Sequence, residues 1–339
     1  MDVIKNENEN FIPESISEKL WIEVENTKLG LIIKSVNSEN PVLLLLGGGP
    51  EIPEYFLESE YGSNLDKYFT LCYINYRGTA LSYDKNLKKE NLTSEAYFND
   101  CITVAKYLCK RFNKNKIFLL GHSFGTYIGL NIANRHPELF HAFIGMSIIT
   151  DQNHSEQLAY QYMYDTYKAQ GKINRVKELE KYKPLFESKK AINFEDPLTK
   201  QYFEKVRDSY MHELGIGTTH NMKSVITGIF FPSFLMKDFS FIEKINVWKA
   251  KIFTTGAPIK TDSFNFNAFE TIKELKIPFY VFAGKHDYTT AYALQEKYFD
   301  QISAPEKKFY TFENSAHSPL FEENEKALDI ILKDILKKE

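Results

Sequence analysis

The most constraining feature of this 339-residue chain is an apolar run that ends in a Gly-x-Ser-x-Gly motif at 121–125. The run, 116–120, has the composition of a buried parallel strand, and residues 126–135 have the pattern of a helix. A serine at a sharp strand-to-helix turn has its hydroxyl pushed out above the sheet, and the flanking glycines permit the tight backbone. The motif in this context predicts Ser123 as a nucleophile. The alternative is an ordinary turn with a helix-capping serine.

A second buried strand, 42–46, runs into the segment Gly-Gly-Gly-Pro at 47–50. Acyl transfer through a serine needs backbone N–H donors directed at the developing oxyanion. We expect these donors to be the amides of Gly48, Gly49 and Phe124, because glycine permits close approach and positive φ. A phosphate-binding loop is disfavoured, since neither Gly-Lys-Ser/Thr nor Gly-x-Gly-x-x-Gly is present.

Two further buried strands, 277–283 and 308–312, are each followed by a short polar loop. Asp287 lies in the first loop and His317 in the second, at the sheet edge where open α/β sheets bind ligands. The chain order serine, acid, histidine predicts a catalytic triad. His317 would take the proton from Ser123, and Asp287 would hold the imidazole tautomer and stabilise the imidazolium.

Other residues compete for these roles. The acid of a triad can also follow an earlier strand, and Asp151 lies shortly after the strand predicted at 142–146. His122 is adjacent to the nucleophile, but its side chain should point away from Ser123 Oγ, so we interpret His122 as structural. A lone Asp after a strand is also a common helix cap, and the joint pattern is what favours Asp287.

Two segments near these strands carry a family resemblance. Segment 47–56 reads Gly-Gly-Gly-Pro-Glu-Ile-Pro-Glu-Tyr-Phe, and segment 75–83 reads Asn-Tyr-Arg-Gly-Thr-Ala-Leu-Ser-Tyr. With the serine motif, they resemble the α/β-hydrolases of the proline iminopeptidase-like group, whose patterns are His-Gly-Gly-Pro-Gly and Asp/Glu-Gln-Arg-Gly-x-Gly-x-Ser. The resemblance runs from about Trp21 to the C-terminus and includes segment 211–220. It implies an α/β-hydrolase fold, with a mostly parallel sheet flanked by helices and an inserted helical cap domain.

The chain departs from the group's patterns at five positions. Gly47 stands where the group has His, Glu51 where it has Gly, Asn75 and Tyr76 where it has an acid and Gln, and Ala80 where it has Gly. The oxyanion donors are backbone groups, so the loss of the His side chain changes how the loop is held without removing the donors. An anion at Glu51 would oppose oxyanion formation if desolvated and would favour a cationic substrate if exposed.

The alternation of strands and helices stops after about residue 150 and resumes after about residue 262. We therefore predict three parts: an α/β-hydrolase core at 1–149, a helical cap at 150–262 and the rest of the core at 263–339. One helix face in the cap carries large side chains, which are more typical of the cap's own core than of a substrate box. These side chains are Tyr160, Met163, Tyr164 and Tyr167.

The resemblance to proline iminopeptidases implies that acidic cap residues hold the substrate's free amino group. Glu204, Asp208 and Glu213 are available on one predicted helix, and Glu51 is a fourth candidate. A solvated helix face is the alternative interpretation of the three cap residues.

Composition sets limits on partners and location. The net charge of −3 gives no reason to expect a nucleic-acid partner, and the longest apolar runs are too short for a membrane span. Residues 1–18 lack the apolar core of a signal peptide. Cys72, Cys101 and Cys109 lack metal-ligand spacing, and we expect reduced thiols. We predict a cytoplasmic enzyme with no metal, no cofactor, and no nucleic-acid or membrane partner.

The combined patterns predict a serine hydrolase that cleaves a small ester or amide through an acyl-enzyme. The resemblance implies an esterase or a peptidase, including an aminopeptidase of proline iminopeptidase type acting on a short peptide. Two alternatives stay open: an acyltransferase that uses the same triad, and a catalytically silent ligand-binding protein, which the altered glycine loop would favour. An epoxide hydrolase or dehalogenase is disfavoured, because those members of the superfamily have Asp at the serine position.

Overall fold

A sheet of eight strands lies at the centre of the structure, a computed structural model that describes residues 4, 11–49, 51–187 and 192–337. Pro50 of the glycine-rich segment lies outside the described residues. The strands, in chain order, are β1 Ile16–Val24, β2 Thr27–Ser35, β3 Val42–Leu46, β4 Thr70–Ile74, β5 Ile117–His122, β6 Phe140–Met146, β7 Phe279–Gly284 and β8 Lys307–Phe312.

The strand order in the sheet is β1-β2-β4-β3-β5-β6-β7-β8. Strands β1 and β2 form an antiparallel hairpin, with Val24 paired to Thr27 and Asn26 at φ 65° in the turn. Strand β2 pairs antiparallel with β4, and every pair from β4 to β8 is parallel. The carboxyl ends of the parallel strands therefore meet at one edge, as the sequence predicted.

Helices flank the sheet, and several of them lie between β6 and β7. Within the described residues, the α-helices are α1 Tyr55–Tyr61, α2 Ser94–Arg111, α3 Phe124–Arg135, α4 Gln152–Ala169, α5 Ile173–Glu180, α6 Lys183–Glu187, α7 Pro197–Tyr202, α8 Asp208–Glu213, α9 Phe231–Ser233, α10 Phe241–Phe253, α11 Pro258–Phe264, α12 Ala268–Thr271, α13 Tyr292–Gln301, α14 Pro319–Glu322 and α15 Asn324–Ile330. Three π-helical turns adjoin them at Phe203–Arg207, Ile226–Phe230 and Ile331–Ile335, and short 3₁₀ turns occur at Leu65–Lys67, Ala80–Ser82, Lys89–Asn91 and Pro137–Leu139. Among the described residues, no helix is both long and apolar enough to cross a membrane.

The sheet buries both of its faces, which is why its central strands are continuous apolar runs. In β3, Leu44 and Leu46 belong to the apolar cluster beneath helices α2 and α3, whereas Leu43 and Leu45 belong to the cluster on the opposite face. The alternation follows from the two-residue period of a strand. The thiols of Cys72, Cys101 and Cys109 are free, and the first two are buried in this core.

The helical segment between β6 and β7 has an apolar cluster of its own. Tyr160, Met163 and Tyr167 on α4 are buried in it, and Tyr164 is half-buried against it. These side chains pack within the segment, as periodic spacing on one helix face predicts. The division of the chain into core and cap at 150 and 262 stays a prediction.

Close packing at the ends of β3 and β5 explains both glycines of the serine motif, Gly121 and Gly125. A Cβ atom on Gly125 would lie 1.9 Å from the carbonyl oxygen of Leu46, and one on Gly121 would lie 2.6 Å from the carbonyl oxygen of Gly125. Because the neighbouring atoms are backbone, neither clash can be relieved by a side-chain rotation. The two glycines thus let α3 start directly against the ends of β3 and β5.

We predict that Gly125→Ala lowers the free energy of unfolding by about 3 kcal/mol, at the upper end of the range for overpacking. The matched control is Gly171→Ala, where φ is 67° and no described atom lies within 4 Å of the added Cβ. Backbone strain alone should cost the control about 1 kcal/mol. Urea unfolding followed by circular dichroism measures both variants, and equal losses would contradict the packing argument.

Candidate active site

Ser123 occupies a strained turn between β5 and α3. Its backbone has φ 51° and ψ −117°, a conformation that an L-residue rarely adopts. The turn is held by backbone hydrogen bonds, in which Ser123 N–H donates to Met146 O at 3.0 Å and Thr126 N–H donates to Ser123 O at 2.8 Å. Ser123 is partly exposed, whereas His122 and Phe124 on either side are buried. The turn therefore presents the serine at the carboxyl edge of the sheet.

Asp287 and His317 are in contact. The distance from Nδ1 of His317 to Oδ2 of Asp287 is 2.9 Å, and the aspartate is fully buried. Thr290 donates to Asp287 through both its N–H and its Oγ1–H, at 3.0 and 2.9 Å, and Gln295 Nε2 donates at 3.2 Å. Burial by itself raises the pKa of Asp287, but His317 and the hydrogen bonds outweigh it and hold the pKa below its ordinary value. Asp287 is thus an ionised partner for the imidazole.

The alternative acid has a local structural role. Asp151 is the N-cap of α4, where its Oδ1 accepts the N–H of His154 at 3.0 Å. Its backbone forms an isolated bridge with Asn267. Of the two carboxylates that the sequence allowed, Asp287 is the one that the structure brings to His317.

The glycine loop, which begins with residues 47–49, lies beside Ser123, but its N–H groups do not all have the same kind of partner. A Cβ on Gly48 would lie 3.3 Å from the Cβ of Ser123, which places the loop against the elbow. The Gly48 N–H, however, donates to Oε2 of Glu54 at 3.1 Å. Gly49, at φ 87°, has no acceptor for its N–H among the described residues, and Phe124 N–H opens α3, where no intrahelical acceptor exists. Of the three predicted donors, the structure thus leaves the amides of Gly49 and Phe124 available.

Sequence reasoning missed a buried network behind this site. Oε1 of Glu54 lies 2.8 Å from Nδ1 of His122, and Nε2 of His122 lies 2.7 Å from the carbonyl oxygen of His317. Ser147 Oγ–H donates to the same carbonyl oxygen at 2.9 Å. The interpretation of His122 as structural agrees with this placement. The available signal for Glu54 was a carboxylate shortly after the glycine-rich segment.

Glu51 is buried and already has partners. Its Oε1 accepts the hydroxyl of Thr254 at 2.7 Å and pairs with the ammonium of Lys260. Both partners lie in the helical segment between β6 and β7. Of the two situations that the sequence left open, desolvated or exposed, Glu51 is in the first, and its charge is paired with that of Lys260.

The three acidic residues predicted on the cap lie on its own surface. Glu204 is exposed, Asp208 pairs with Arg207 at 2.7 Å, and Glu213 pairs with Lys172 at 2.8 Å. Within the described ranges, none of these three carboxylates contacts the side chains of the serine, aspartate or histidine above. No group of three or more His, Cys, Asp and Glu side chains in the described part of the chain is arranged to hold a metal ion.

The segment between β6 and β7 reaches the loop that carries His317. His317 N–H donates to Gly217 O at 3.3 Å, and Ser318 Oγ–H donates to Thr218 O at 2.8 Å. Gln152 Nε2 donates to Thr289 O, in the loop after β7, at 2.7 Å. The segment therefore covers the carboxyl edge of the sheet at the loops after β7 and β8.

Glu322 joins the segment to the histidine loop through its carboxylate. Oε1 accepts the N–H groups of Ala316 and Ser318, at 2.9 and 3.1 Å, and Oε2 accepts that of His220 at 2.6 Å. Burial raises the pKa of Glu322 to about 7, although the three N–H donors stabilise the ionised carboxylate and lower the pKa. Glu322 consequently titrates near neutral pH in the folded chain.

This titration should make the free energy of unfolding depend on pH. The folded-state pKa of Glu322, about 7, lies above the value of about 4.3 for glutamate in an unfolded chain. The folded state therefore holds the proton more tightly, so the contribution is complete below about pH 4.3 and is lost as the pH rises to about 7. Urea unfolding across this range should show a decrease of up to about 1.4 kcal/mol per pH unit from this group.

Glu322→Gln should remove this part of the pH dependence, since it cannot titrate. Glu60→Gln changes an exposed glutamate of helix α1 and is the matched control that should leave the profile unchanged. A full wild-type slope in Glu322→Gln would show that another group is responsible.

Comparison with known proteins places the chain in a family. Residues 41–324 match the family model described as alpha/beta hydrolase fold. The chain belongs to the α/β-hydrolase family, and the predicted fold is confirmed. It is 30% identical to the probable aminopeptidase YbaC of Bacillus subtilis (strain 168) over 315 residues, which cover 92% of this chain and 95% of that protein.

Solved structures agree at the level of the fold. A proline iminopeptidase-related protein from Thermus thermophilus has a TM-score of 0.61 and 15% identity, covering 93% of this chain and 97% of that one. A proline iminopeptidase from Mycobacterium smegmatis gives 0.59 and 13%, with coverage of 93% and 96%. An epoxide hydrolase from Bacillus megaterium gives 0.58 and 16%, with coverage of 94% and 100%. The chain is thus a hydrolase, and one relative is named as a probable aminopeptidase.

Proposed function

We propose that the chain is a serine hydrolase in which Ser123, His317 and Asp287 act as nucleophile, general base and orienting acid. The observation that carries this proposal is the buried contact between Asp287 and His317, on loops at the same sheet edge as the strained turn of Ser123. An ionised aspartate at Nδ1 keeps the proton on that nitrogen and leaves Nε2 free to accept one.

In the proposed reaction, Ser123 Oγ bonds to the carbonyl carbon while its proton passes to Nε2 of His317. The bond to the leaving group then breaks, and His317 returns the proton to the departing oxygen or nitrogen. Water next attacks the acyl-serine and gives a proton to His317. Collapse of this second intermediate releases the carboxylic acid and restores the Ser123 hydroxyl.

The developing oxyanion would be bound by the backbone amides of Gly49 and Phe124. Both amides are available in the described part of the chain, whereas that of Gly48 is held by Glu54. Backbone donors suit this task because they are held in place before the charge develops.

The proposed substrate class is an aminoacyl amide or a short peptide with a free amino group, so the hydrolase would be an aminopeptidase. The support is the relative named as a probable aminopeptidase, which this chain matches over 92% of its length. Glu204, Asp208 and Glu213 remain candidates for holding the amino group. Asp208, Glu213 and Glu51 are weaker candidates than Glu204, because Arg207, Lys172 and Lys260 already pair with their carboxylates. A panel of p-nitrophenyl esters and aminoacyl-naphthylamides tests the class, and hydrolysis of the esters alone would contradict it.

We predict that Ser123 is the site of covalent labelling by a fluorophosphonate. Ser123→Ala should abolish labelling and reduce turnover by about 10⁴-fold or more, since no other group supplies the nucleophile. Ser63→Ala, which removes a buried hydroxyl after helix α1, is the matched control and should label normally. Near-wild-type turnover in purified Ser123→Ala would exclude Ser123 as the nucleophile.

We also predict that Asp287→Asn reduces turnover by about 10⁴-fold, because the amide presented to His317 favours the wrong tautomer. Asp151→Asn is the matched control: the same change is made at a helix cap, so turnover should stay within about threefold of wild type. Steady-state kinetics on the best substrate of the panel measures both variants. Loss of activity in Asp151→Asn with retention in Asp287→Asn would assign the acid to Asp151.

A further inference from the structure

The glycine loop is held by Tyr76, which stands where the family's motif has Gln, and by Glu54. Tyr76 OH donates to the carbonyl oxygen of Gly47 at 3.0 Å, and the N–H of Gly48 donates to Glu54 at 3.1 Å. The carbonyl of Gly47 and the N–H of Gly48 belong to one peptide group. Its plane is therefore fixed from both sides, immediately before the peptide that carries the N–H of Gly49.

The same glutamate reaches the histidine loop through His122. A carbonyl oxygen can only accept, so Nε2 of His122 must carry the proton donated to His317 O at 2.7 Å. Nδ1 of His122 and Oε1 of Glu54, 2.8 Å apart, then share one further proton. Burial by itself lowers the pKa of His122, but the Glu54 carboxylate and the His317 carbonyl outweigh it and raise the pKa. Both contacts of His122 are thus favourable for a protonated imidazole.

We propose that Tyr76, Glu54 and His122 form a positioning network that sets the glycine loop and His317 in fixed relation to Ser123. This inference rests on the proposed serine mechanism and adds three residues that act on it without touching the substrate. The network connects two loops that are more than 260 residues apart in the chain, so it fixes a distance that local backbone geometry leaves undetermined.

Burial and desolvation argue that the network has more than a packing role. Tyr76, Glu54 and His122 are 2%, 5% and 4% exposed. A buried pair of ionisable groups loses hydration that apolar side chains of the same volume would not lose, so stability alone does not favour it. The Glu54–His122 pair instead orients the two loops, because its other hydrogen bonds go to the N–H of Gly48 and to the carbonyl oxygen of His317.

The network should affect the stability of the transition state more than the affinity for the bound substrate. The oxyanion exists only once Ser123 has attacked, so a displaced Gly49 amide weakens the transition state and leaves ground-state binding nearly unchanged. For a fluorophosphonate, whose phosphoryl oxygen takes the same position, this means a lower maximal labelling rate kinact with little change in KI.

The first test compares two buried tyrosines. Tyr76→Phe removes the hydrogen bond to Gly47 O, and Tyr97→Phe is the matched control, because its OH donates to the carbonyl oxygen of Arg77 at 3.2 Å, outside the loop. We expect Tyr76→Phe to lower kinact about tenfold with KI within about twofold, and Tyr97→Phe to change neither. Equal kinact values for the two variants, each normalised to its labelled fraction of Ser123, would overturn the proposal.

The second test uses two replacements of Glu54. In Glu54→Gln, the amide oxygen can accept the Gly48 N–H and the amide nitrogen can donate to a neutral His122. We expect Glu54→Gln to keep kinact within about fivefold and Glu54→Ala to lose about 100-fold, because only alanine breaks the network. A role confined to folding would lower the labelled fraction in Glu54→Ala and leave kinact per labelled site unchanged, which would also overturn the proposal.

Labelling of the wild-type protein distinguishes a failure of the positioning network from a failure of the proposed serine mechanism. If wild type labels at Ser123 and the variants behave alike, the serine mechanism stands and the positioning network is wrong. If purified, folded wild type does not label at all, the proposed function fails, and this inference fails with it.

Discussion

The packing of helix α3 against the ends of β3 and β5 is the constraint on which the site depends. Because Gly125 has no Cβ, its Cα can lie against the carbonyl of Leu46, the last residue of β3. The glycine loop starts at the next residue, so the same contact that tightens the turn of Ser123 also places Gly48 beside it. A larger residue at 125 would separate the serine from the loop and change both at once.

Buried and half-buried carboxylates connect the loops at this sheet edge. Asp287 binds a histidine ring, Glu54 binds a ring and an amide, Glu322 binds three backbone amides, and Glu51 binds a lysine and a hydroxyl. Each carboxylate would be costly to bury alone, and each has partners that replace the lost water. In every case at least one partner comes from a different part of the chain, so the polar contacts orient these loops relative to one another.

The sheet and the elbow were predictable because their signals are local. Strand β3 was predicted at the residues where it occurs, and the predicted β5, β6, β7 and β8 differ from the observed strands by at most two residues at either end. Five-residue apolar runs buried on both faces leave little choice of conformation.

The amino-acid sequence by itself determined the fold family, the turn at Ser123, and the placement of Asp287 and His317 after parallel strands, because each depends on patterns within a few residues. Only the tertiary structure decided which side chains meet. Glu54 pairs with His122, 68 residues away, and Glu51, which lies before helix α1, pairs with Lys260 in helix α11. Such pairs form because separate segments pack together and bury both groups, and no local periodicity carries that information.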